Sequence, residues 1–293
     1  MKKFFLPFFL AASLTYAGET TTVTTQTTVE ETPRDIVVTD SSYVFESDVN
    51  HGGTIDKQDA LDDSFEYGHR FLLSGNLYLQ LGLAYSRFDF GNTGGILPVH
   101  LQKYVGVVSL EYMQGADTVA LLEFRPGFYT EEHFGSASFD VPITAARFFT
   151  LQRDKLYFLI GAQADFLRGD YPVLPVVGLV WKPSPQWAVF AIPPEPRIVY
   201  SPSKCLSIYA GGELTGGSFR TDSHPELGKL SGAQVDYAEY RAGAGLTCRL
   251  SKQFDLTVGG GYAIQRQFNF NRADENYRTD PAPYARIQIQ GSF

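Results

Sequence analysis

Hydrophobic residues alternate with small or polar residues along several stretches of the chain. Between positions 77 and 86, Leu and Tyr fill the odd-numbered positions, whereas Gln, Gly, Ala and Ser fill most of the even-numbered ones. The same alternation returns over 103–112, 256–265 and 285–293. A period of two predicts strands with one apolar face. Stretches of about ten residues suit transmembrane strands of roughly 9–11 residues better than the roughly 5–6 of a soluble sandwich.

Breaks in this pattern divide the chain into a series of strands. The predicted strands begin near Tyr43, Ser64, Leu77, Leu101, Thr118, Phe139, Lys155, Val173, Trp187, Arg197, Leu206, Tyr237, Phe254 and Tyr284. This order predicts an all-β fold, an antiparallel up-and-down transmembrane β-barrel of about 14 strands. The alternative is 12 strands, because the three prolines between Pro193 and Pro196 remove backbone donors and could mark a short hairpin tucked at the rim.

The connections between these strands alternate in length. Short turns, such as 74–76, 152–154 and 251–253, alternate with longer polar segments at 50–63, 130–138, 216–236 and 271–283. Outer-membrane barrels have short periplasmic turns and longer extracellular loops. We therefore expect both termini on the periplasmic side.

The N-terminus predicts export. A basic start, an apolar run too short to cross a bilayer and a small-residue cleavage pattern ending at Ala17 are typical of a secretory signal peptide, residues 1–17. The Thr-rich residues 18–40 predict a disordered tail, and the barrel is expected over 41–293. Removal of Lys2 and Lys3 with the signal peptide leaves 22 basic against 32 acidic residues, a formal charge of -10, which argues against a nucleic-acid partner.

Aromatic residues make up 14% of the chain and gather at the predicted strand ends. Rings of this kind suit the boundary between lipid headgroups and acyl chains. The predicted periplasmic girdle comprises Phe148, Phe149, Tyr157, Phe158, Trp181, Trp187 and Phe293.

Several motifs carry a resemblance to a known family. They are the stretches 173–178, 181–183, 193–202, 211–212, 216–220, 240–245, 261–262 and 282–284. Together they resemble an uncharacterised family of exported bacterial proteins, outer-membrane β-barrels of unknown function. The resemblance implies a barrel in the bacterial outer membrane, and it implies no activity and no functional residues. The C-terminal Phe293 is similar to the signal by which the barrel-assembly machinery takes up its substrates.

The sequence shows no catalytic constellation, so we do not expect an enzyme. No cofactor is predicted, and no metal site either, although Glu131, Glu132 and His133 could hold a surface ion weakly. A disulfide between Cys205 and Cys248 is not expected, because the strand parity directs their side chains to opposite faces.

Charged residues at inward-facing positions are the candidate functional residues. A charge at mid-depth cannot face lipid, where Arg or Lys costs about 2–4 kcal/mol. The predicted lumen-lining residues are Lys103, Glu111, Glu123, Arg125, Asp165, Glu213, Arg241, Arg249 and Arg286, with Gln163, Gln288 and Gln290 beside them. These residues either line a wet pore or lace the lumen with ion pairs, and fourteen strands lie between a filled and an open barrel.

These observations predict a passive pore or small-solute transporter with a polar lumen. The alternative is a non-conducting structural or adhesive envelope protein that uses the 216–236 loop, and an outer-membrane enzyme is a third class. The expected partners are outer-membrane lipid, the assembly machinery and small solutes. Acidic residues in the predicted outer loops predict a mild cation preference that fades as salt rises. They are Glu131, Glu132, Asp222, Glu226, Asp236, Asp274 and Glu275.

Overall fold

The computed structural model describes residues 34–91, 93–94, 96–114, 117–169, 171–223 and 230–293. The predicted signal peptide (1–17) and residues 18–33 of the predicted tail lie outside this range. The described residues contain strands and two short 3-10 helices, Ser136–Ser138 and Asn271–Ala273. Among them, no helix is long and apolar enough to cross a membrane. The predicted all-β class is confirmed.

The strand segments are numbered along the chain. They are β1 (Asp35–Asn50), β2 (Thr54–Ser74), β3 (Leu77–Phe90), β4 (His100–Gln114), β5 (Asp117–Phe124), β6 (Gly127–Thr130), β7 (Phe139–Asp140), β8 (Ile143–Gln152), β9 (Leu156–Ala164), β10 (Val173–Ser184), β11 (Trp187–Ala191), β12 (Arg197–Ser203), β13 (Leu206–Arg220), β14 (Gln234–Arg249), β15 (Phe254–Phe270), β16 (Glu275–Thr279) and β17 (Ala282–Ser292).

The 17 described segments make a closed antiparallel barrel of 14 strands, because three of the strands are each divided into two segments at a proline. β5 and β6 both pair with β4 on either side of Pro126. β7 and β8 continue one another across Pro142, and β16 and β17 across Pro281. Proline lacks the backbone N–H that a ladder requires. The predicted up-and-down barrel is confirmed, and the alternative of 12 strands is wrong.

The barrel closes where β1 pairs with both β2 and β17. Thr39 of β1 lies opposite Phe65 of β2 on one side and Ile289 of β17 on the other. The barrel thus begins at Asp35, six residues before the predicted boundary at position 41. Residues 35–40 form a strand because two partner strands satisfy their backbone groups.

Several predicted loops are strand instead. β1 and β2 together occupy most of 50–63, β13 reaches Arg220, and β14 starts at Gln234. β3, which pairs with β2, extends beyond the apolar outer face, because Arg87 and Asp89 form an ion pair of 2.7 Å at its extracellular end. The barrel wall therefore continues beyond the lipid on the extracellular side. The polar composition of these segments is why the sequence predicted loops there.

The outward-facing residues of the middle of the barrel are apolar and exposed. On β3, Leu81 and Leu83 are 41% and 53% exposed, and Val258 and Ile264 on β15 are similar. Trp181 and Trp187 are exposed at the periplasmic end, where a girdle is expected. The prediction is wrong for Phe148, which does not belong to the girdle, because its ring packs against the inner cluster of Ala146, Leu159 and Val176.

β11 and β12 are short. They have 5 and 7 residues, whereas β10 and β13 beside them have 12 and 15. Both are part of the wall and pair with their neighbours at its periplasmic half. The loop that joins them, residues 192–196, turns toward the lumen instead of extending the wall.

β13 bends inward at its extracellular end. Gly216 and Gly217 have φ of +131° and +158°, a region that favours glycine, and a Cβ on Gly216 would lie 2.1 Å from the Tyr237 carbonyl oxygen. Beyond the bend, Arg220 pairs in parallel with Thr130 of β6 across the barrel. The extracellular half is consequently narrower than the periplasmic half.

Candidate functional site

The lumen contains a cavity of about 280 Å³ at mid-height. Opposite walls contribute both charged and apolar side chains to it. The charged residues that line it are Asp40, Asp62, Glu66, Lys103, Arg125, Asp165, Glu195, Arg197, Glu213 and Arg286. The apolar ones include Phe88, Phe148, Phe190 and Ile192.

Arg286 is the centre of one group of ion pairs. Its Nε lies 2.8 Å from Asp40 Oδ2, its Nη2 lies 2.9 Å from Glu195 Oε1, and its Nη1 lies 3.4 Å from Glu213 Oε2. Glu195 belongs to the loop between β11 and β12, so this contact holds that loop inside the lumen. The guanidinium thereby joins β1, β13 and β17 to a loop that forms part of the cavity wall.

Arg241 forms a second group next to the first. Its Nη2 lies 3.3 Å from Asp62 Oδ2 and its Nη1 lies 3.6 Å from Glu213 Oε2, while its Nε donates to Glu239. The Arg241 side chain is 2% exposed and that of Glu239 is 0% exposed. Glu213 bridges the two arginines. Such buried pairs specify position more than they add net stability, since desolvation offsets most of the attraction.

The opposite wall carries its own ion pairs. Arg125 Nε lies 2.7 Å from Glu123 Oε1, and its Nη2 lies 3.0 Å from Glu66 Oε2. The Ser109 hydroxyl donates to Glu123 across 3.0 Å, and Arg70 Nε lies 2.8 Å from Glu111 Oε2. The sequence left two interpretations of these charges open, a wet pore and a lumen crossed by ion pairs. Extensive ion pairing describes these walls.

Eight of the nine predicted lumen residues face the interior of the barrel. Lys103, Arg125, Asp165, Glu213 and Arg286 line the cavity directly. Glu111, Glu123 and Arg241 are buried behind it in ion pairs. Arg249 is different: it lies near the periplasmic end, 3.4 Å from Asp255, with a side chain that is 38% exposed.

Four acidic residues that line the cavity are not among the predicted lumen residues. Asp40 fell in the predicted tail and Asp62 in a predicted loop, while Glu66 and Glu195 were not singled out. A signal was present, because Asp62, Ser64 and Glu66 form one polar row opposite Phe65 and Tyr67. No local signal marks Glu195, since only the inward turn of its loop brings it to Arg286.

An apolar core closes the extracellular half of the described barrel. Phe88 of β3 lies 5.1 Å from Tyr237 and 6.0 Å from Phe219, measured between ring centroids. Phe90 lies 4.9 Å from Phe268 in the same way. These rings come from strands on opposite walls and are almost fully buried. The axial route from the cavity to the outside is therefore filled with aromatic side chains.

Tyrosine rings narrow the periplasmic half. A Cβ on Gly243 would lie 2.5 Å from the Tyr284 hydroxyl oxygen, and one on Gly259 would lie 2.4 Å from that of Tyr209. The glycines on β14 and β15 thus provide the space in which these two rings lie. The lumen at this level is therefore occupied by the rings of Tyr209 and Tyr284.

Among the described residues, the extracellular loops bring together a group of possible metal ligands. The ligand atoms of Glu132, His133 and Asp222 lie within 4.8 Å of one another. His133 Nδ1 lies 2.8 Å from Asp222 Oδ2, and this hydrogen bond raises the pKa of the exposed His133. Glu131, which the sequence grouped with these residues, accepts a hydrogen bond from the Asp222 backbone N–H instead. Of the other predicted loop acids, Asp236 is buried in β14, and Glu226 lies outside the described residues.

No family model matches the sequence, and no curated protein matches it. Among solved structures, the barrel is similar to an outer-membrane channel from Pseudomonas putida F1, at 11% identity over 90% of this chain and 96% of that one, with a TM-score of 0.47.

The Pseudomonas putida toluene transporter TodX has 8% identity over 90% and 91% of the two chains, with a TM-score of 0.46. The KdgM porin, solved with disordered oligogalacturonate, has 13% identity over 87% and 99%, with a TM-score of 0.31. The likeness concerns the barrel fold, so the function of this chain must be argued from its own lumen.

Proposed function

We propose that this protein is an outer-membrane barrel that carries small solutes through its polar lumen. The observation that supports this proposal is the cavity of about 280 Å³, which is lined by acidic and basic side chains from several strands. Its volume is close to the lower end, about 300 Å³, of small-molecule sites. An eight-stranded barrel is filled by its own side chains, whereas fourteen strands hold the walls far enough apart to leave this space.

The proposed location rests on three features. The predicted signal peptide would export the chain, the exposed apolar face suits lipid, and the rings at the strand ends suit the interface. The ring of the C-terminal Phe293 lies beside that of Phe254, with 5.8 Å between ring centroids, at the end of a strand that closes the barrel. That position is consistent with uptake by the barrel-assembly machinery.

The charges around the cavity favour small cations. In the cluster around Arg286 and Arg241, carboxylates outnumber guanidinium groups five to three. The members are Asp40, Asp62, Glu195, Glu213 and Glu239 against Arg197, Arg241 and Arg286. A surplus of acid concentrates cations in a confined space, and added salt weakens this effect.

A second candidate function is a non-conducting structural or adhesive protein. The aromatic core around Phe88 favours it, because that core fills the axial route on the extracellular side. The two candidates make opposite predictions for permeation, so one set of measurements separates them.

The test uses purified protein reconstituted in phospholipid vesicles and planar bilayers. We expect vesicle swelling with small sugars and amino acids, and a small cation-selective current at low salt. Ser64→Trp places a large ring in the cavity and should reduce both signals, whereas Leu83→Trp, at a lipid-facing position of β3 that does not line the cavity, should not. Protein that inserts correctly and yet passes neither solute nor current would overturn the transport proposal in favour of the non-conducting one.

A further inference from the structure

The barrel wall is incomplete between β10 and β13. β11 and β12 fill the space between these strands only at the periplasmic half. β10 pairs with β11 from Leu179 onward, and β12 pairs with β13 no further than Gly211. Two further bonds, from Gly212 N to Pro196 O and from Leu214 N to Pro194 O, extend this contact slightly. Above that level, the described residues place no strand between β10 and β13.

The edge of β10 at this gap can be assigned residue by residue. The Lys182 backbone N–H donates to the Lys155 carbonyl on the β9 side. Because successive residues of a strand point their backbone groups to opposite sides, even-numbered residues of β10 face β9 and odd-numbered ones face the gap. The backbone groups at the gap therefore belong to Val173, Pro175 and Val177. Pro175 has no N–H, and proline within sheets is confined to such edges.

The edge of β13 follows from the same argument. Gly212 and Leu214 donate toward β12, so the even-numbered residues face the gap. Above Leu214 these are Gly216 and Ser218, and no ladder partner faces them among the described residues. At Arg220 the strand meets β6, and above the gap the segment 165–169 bonds through Leu167 to Gln234 of β14. The gap is thus bounded above and below.

The depth of the gap follows from the rings on either side of it. Tyr171 and Phe166 are 59% and 63% exposed at the extracellular end, and Trp181 is exposed at the periplasmic end. The ten residues from Tyr171 to Trp181 span about 33 Å along the strand, or roughly 23 Å across the membrane at a tilt of about 45°. That distance matches an apolar band of about 25 Å. Val173 and Pro175 therefore lie at the depth of the outer leaflet, and Val177 lies just past the middle of the band.

Unpaired backbone groups are not tolerated against lipid, where each costs several kcal/mol; they occur at membrane depth only beside protein or water. On the β13 side of the gap the cavity supplies that water, because its lining includes both faces of β13: Thr215 and Gly217 on one, Leu214, Gly216 and Ser218 on the other.

We propose that this gap is a hydrated lateral window through which small amphipathic molecules pass between the lumen and the outer leaflet. This rests on the proposed transport function and adds a route to it. The window provides what the axial path lacks, since the aromatic core fills the extracellular end. Apolar residues at its rim, Phe190, Ile192 and Pro193, suit the apolar part of a solute, and the ionised groups beyond them suit its polar part.

Cysteine labelling tests the window. The background variant carries Cys205→Ser and Cys248→Ser, because both native cysteines are free and exposed. Thr215→Cys places a thiol on the lumen side of β13 at the window. Gln290→Cys is the matched lumen control, since Gln290 lines the same cavity from an unbroken ladder. Leu246→Cys, on the lipid face, is the positive control.

Each variant is reconstituted in phosphatidylcholine vesicles and treated with one of two reagents. One is a water-soluble sulfonated maleimide, and the other is a phospholipid with maleimide on its acyl chain, which cannot leave the bilayer. We expect the lipid-borne reagent to label Thr215→Cys at least ten-fold faster than Gln290→Cys, and to label Leu246→Cys readily. The sulfonated reagent should reach both lumen positions.

The outcomes separate the two proposals. If the sulfonated reagent labels both lumen thiols while the lipid-borne reagent labels only Leu246→Cys, the cavity is wet and the window is refuted. If neither reagent reaches either lumen thiol, the lumen is sealed and the transport proposal fails with the window. A heat-dependent shift in electrophoretic mobility, retained by each variant, shows that the barrel has folded.

Discussion

The Arg241→Met substitution tests the ion-pair network of the lumen. The Arg241 guanidinium bonds three carboxylates, of Asp62, Glu213 and Glu239, and its side chain is 2% exposed. Methionine of similar length leaves these carboxylates without their shared cation. Breaking a buried pair by removing one partner costs about 3–5 kcal/mol, because the remaining charge is left uncompensated.

Arg249→Met is the matched control on the same strand. Arg249 pairs with Asp255 across 3.4 Å, but both side chains are more than a third exposed. Exposed pairs contribute about 0–1 kcal/mol. The same replacement should therefore lower the free energy of unfolding substantially at position 241 and hardly at all at position 249.

The assay is urea unfolding of the protein folded in phospholipid vesicles, followed by tryptophan fluorescence. A second variant, Arg241→Met with Glu239→Gln, removes one stranded charge and should recover part of the loss, since the amide oxygen introduced at position 239 can still accept the hydrogen bond from the Tyr237 hydroxyl. If Arg241→Met and Arg249→Met differ by less than about 1 kcal/mol, the carboxylates around Arg241 are hydrated and the argument from burial is refuted.

Three further predictions concern the closed end, the loops and selectivity. Phe88→Ala should cost about 3–5 kcal/mol and raise the single-channel conductance by opening the aromatic core; an unchanged conductance would show that this core does not limit the axial route. The hydrogen bond to Asp222 raises the pKa of His133, so the stability that this pair gives the loops is fully present below about pH 6.5 and is lost as pH rises through the folded-state pKa. NMR titration should show a lower His133 pKa in Asp222→Asn. An equal pKa in this variant would contradict the reasoning. Neutralising Glu123 and Asp165 together leaves nearby arginines in surplus, so the reversal potential in a salt gradient should move toward anion selectivity, and no movement would mean that these groups do not face the permeating ions.

The alternation of residue types determined much of this protein without the structure. A strand places successive side chains on opposite faces, so a period of two already separates lipid-facing positions from lumen-facing ones. Leu81 and Leu83 face outward for this reason, and Arg241 and Arg286 face inward. The number of strands followed from the breaks in the same pattern, and proline interruptions did not change it.

Only the tertiary structure decided how the lumen is filled. Which carboxylate meets Arg286 depends on contacts between β1, β13, β17 and an inward-turned loop that are distant in sequence. The aromatic core requires β13, which stays paired with β14, to bend at Gly216 and meet β6 through Arg220 and Thr130, ninety positions apart. Alternation is a local property of one strand, whereas the closure of the core and the gap beside it arise from how strands of unequal length meet around the barrel.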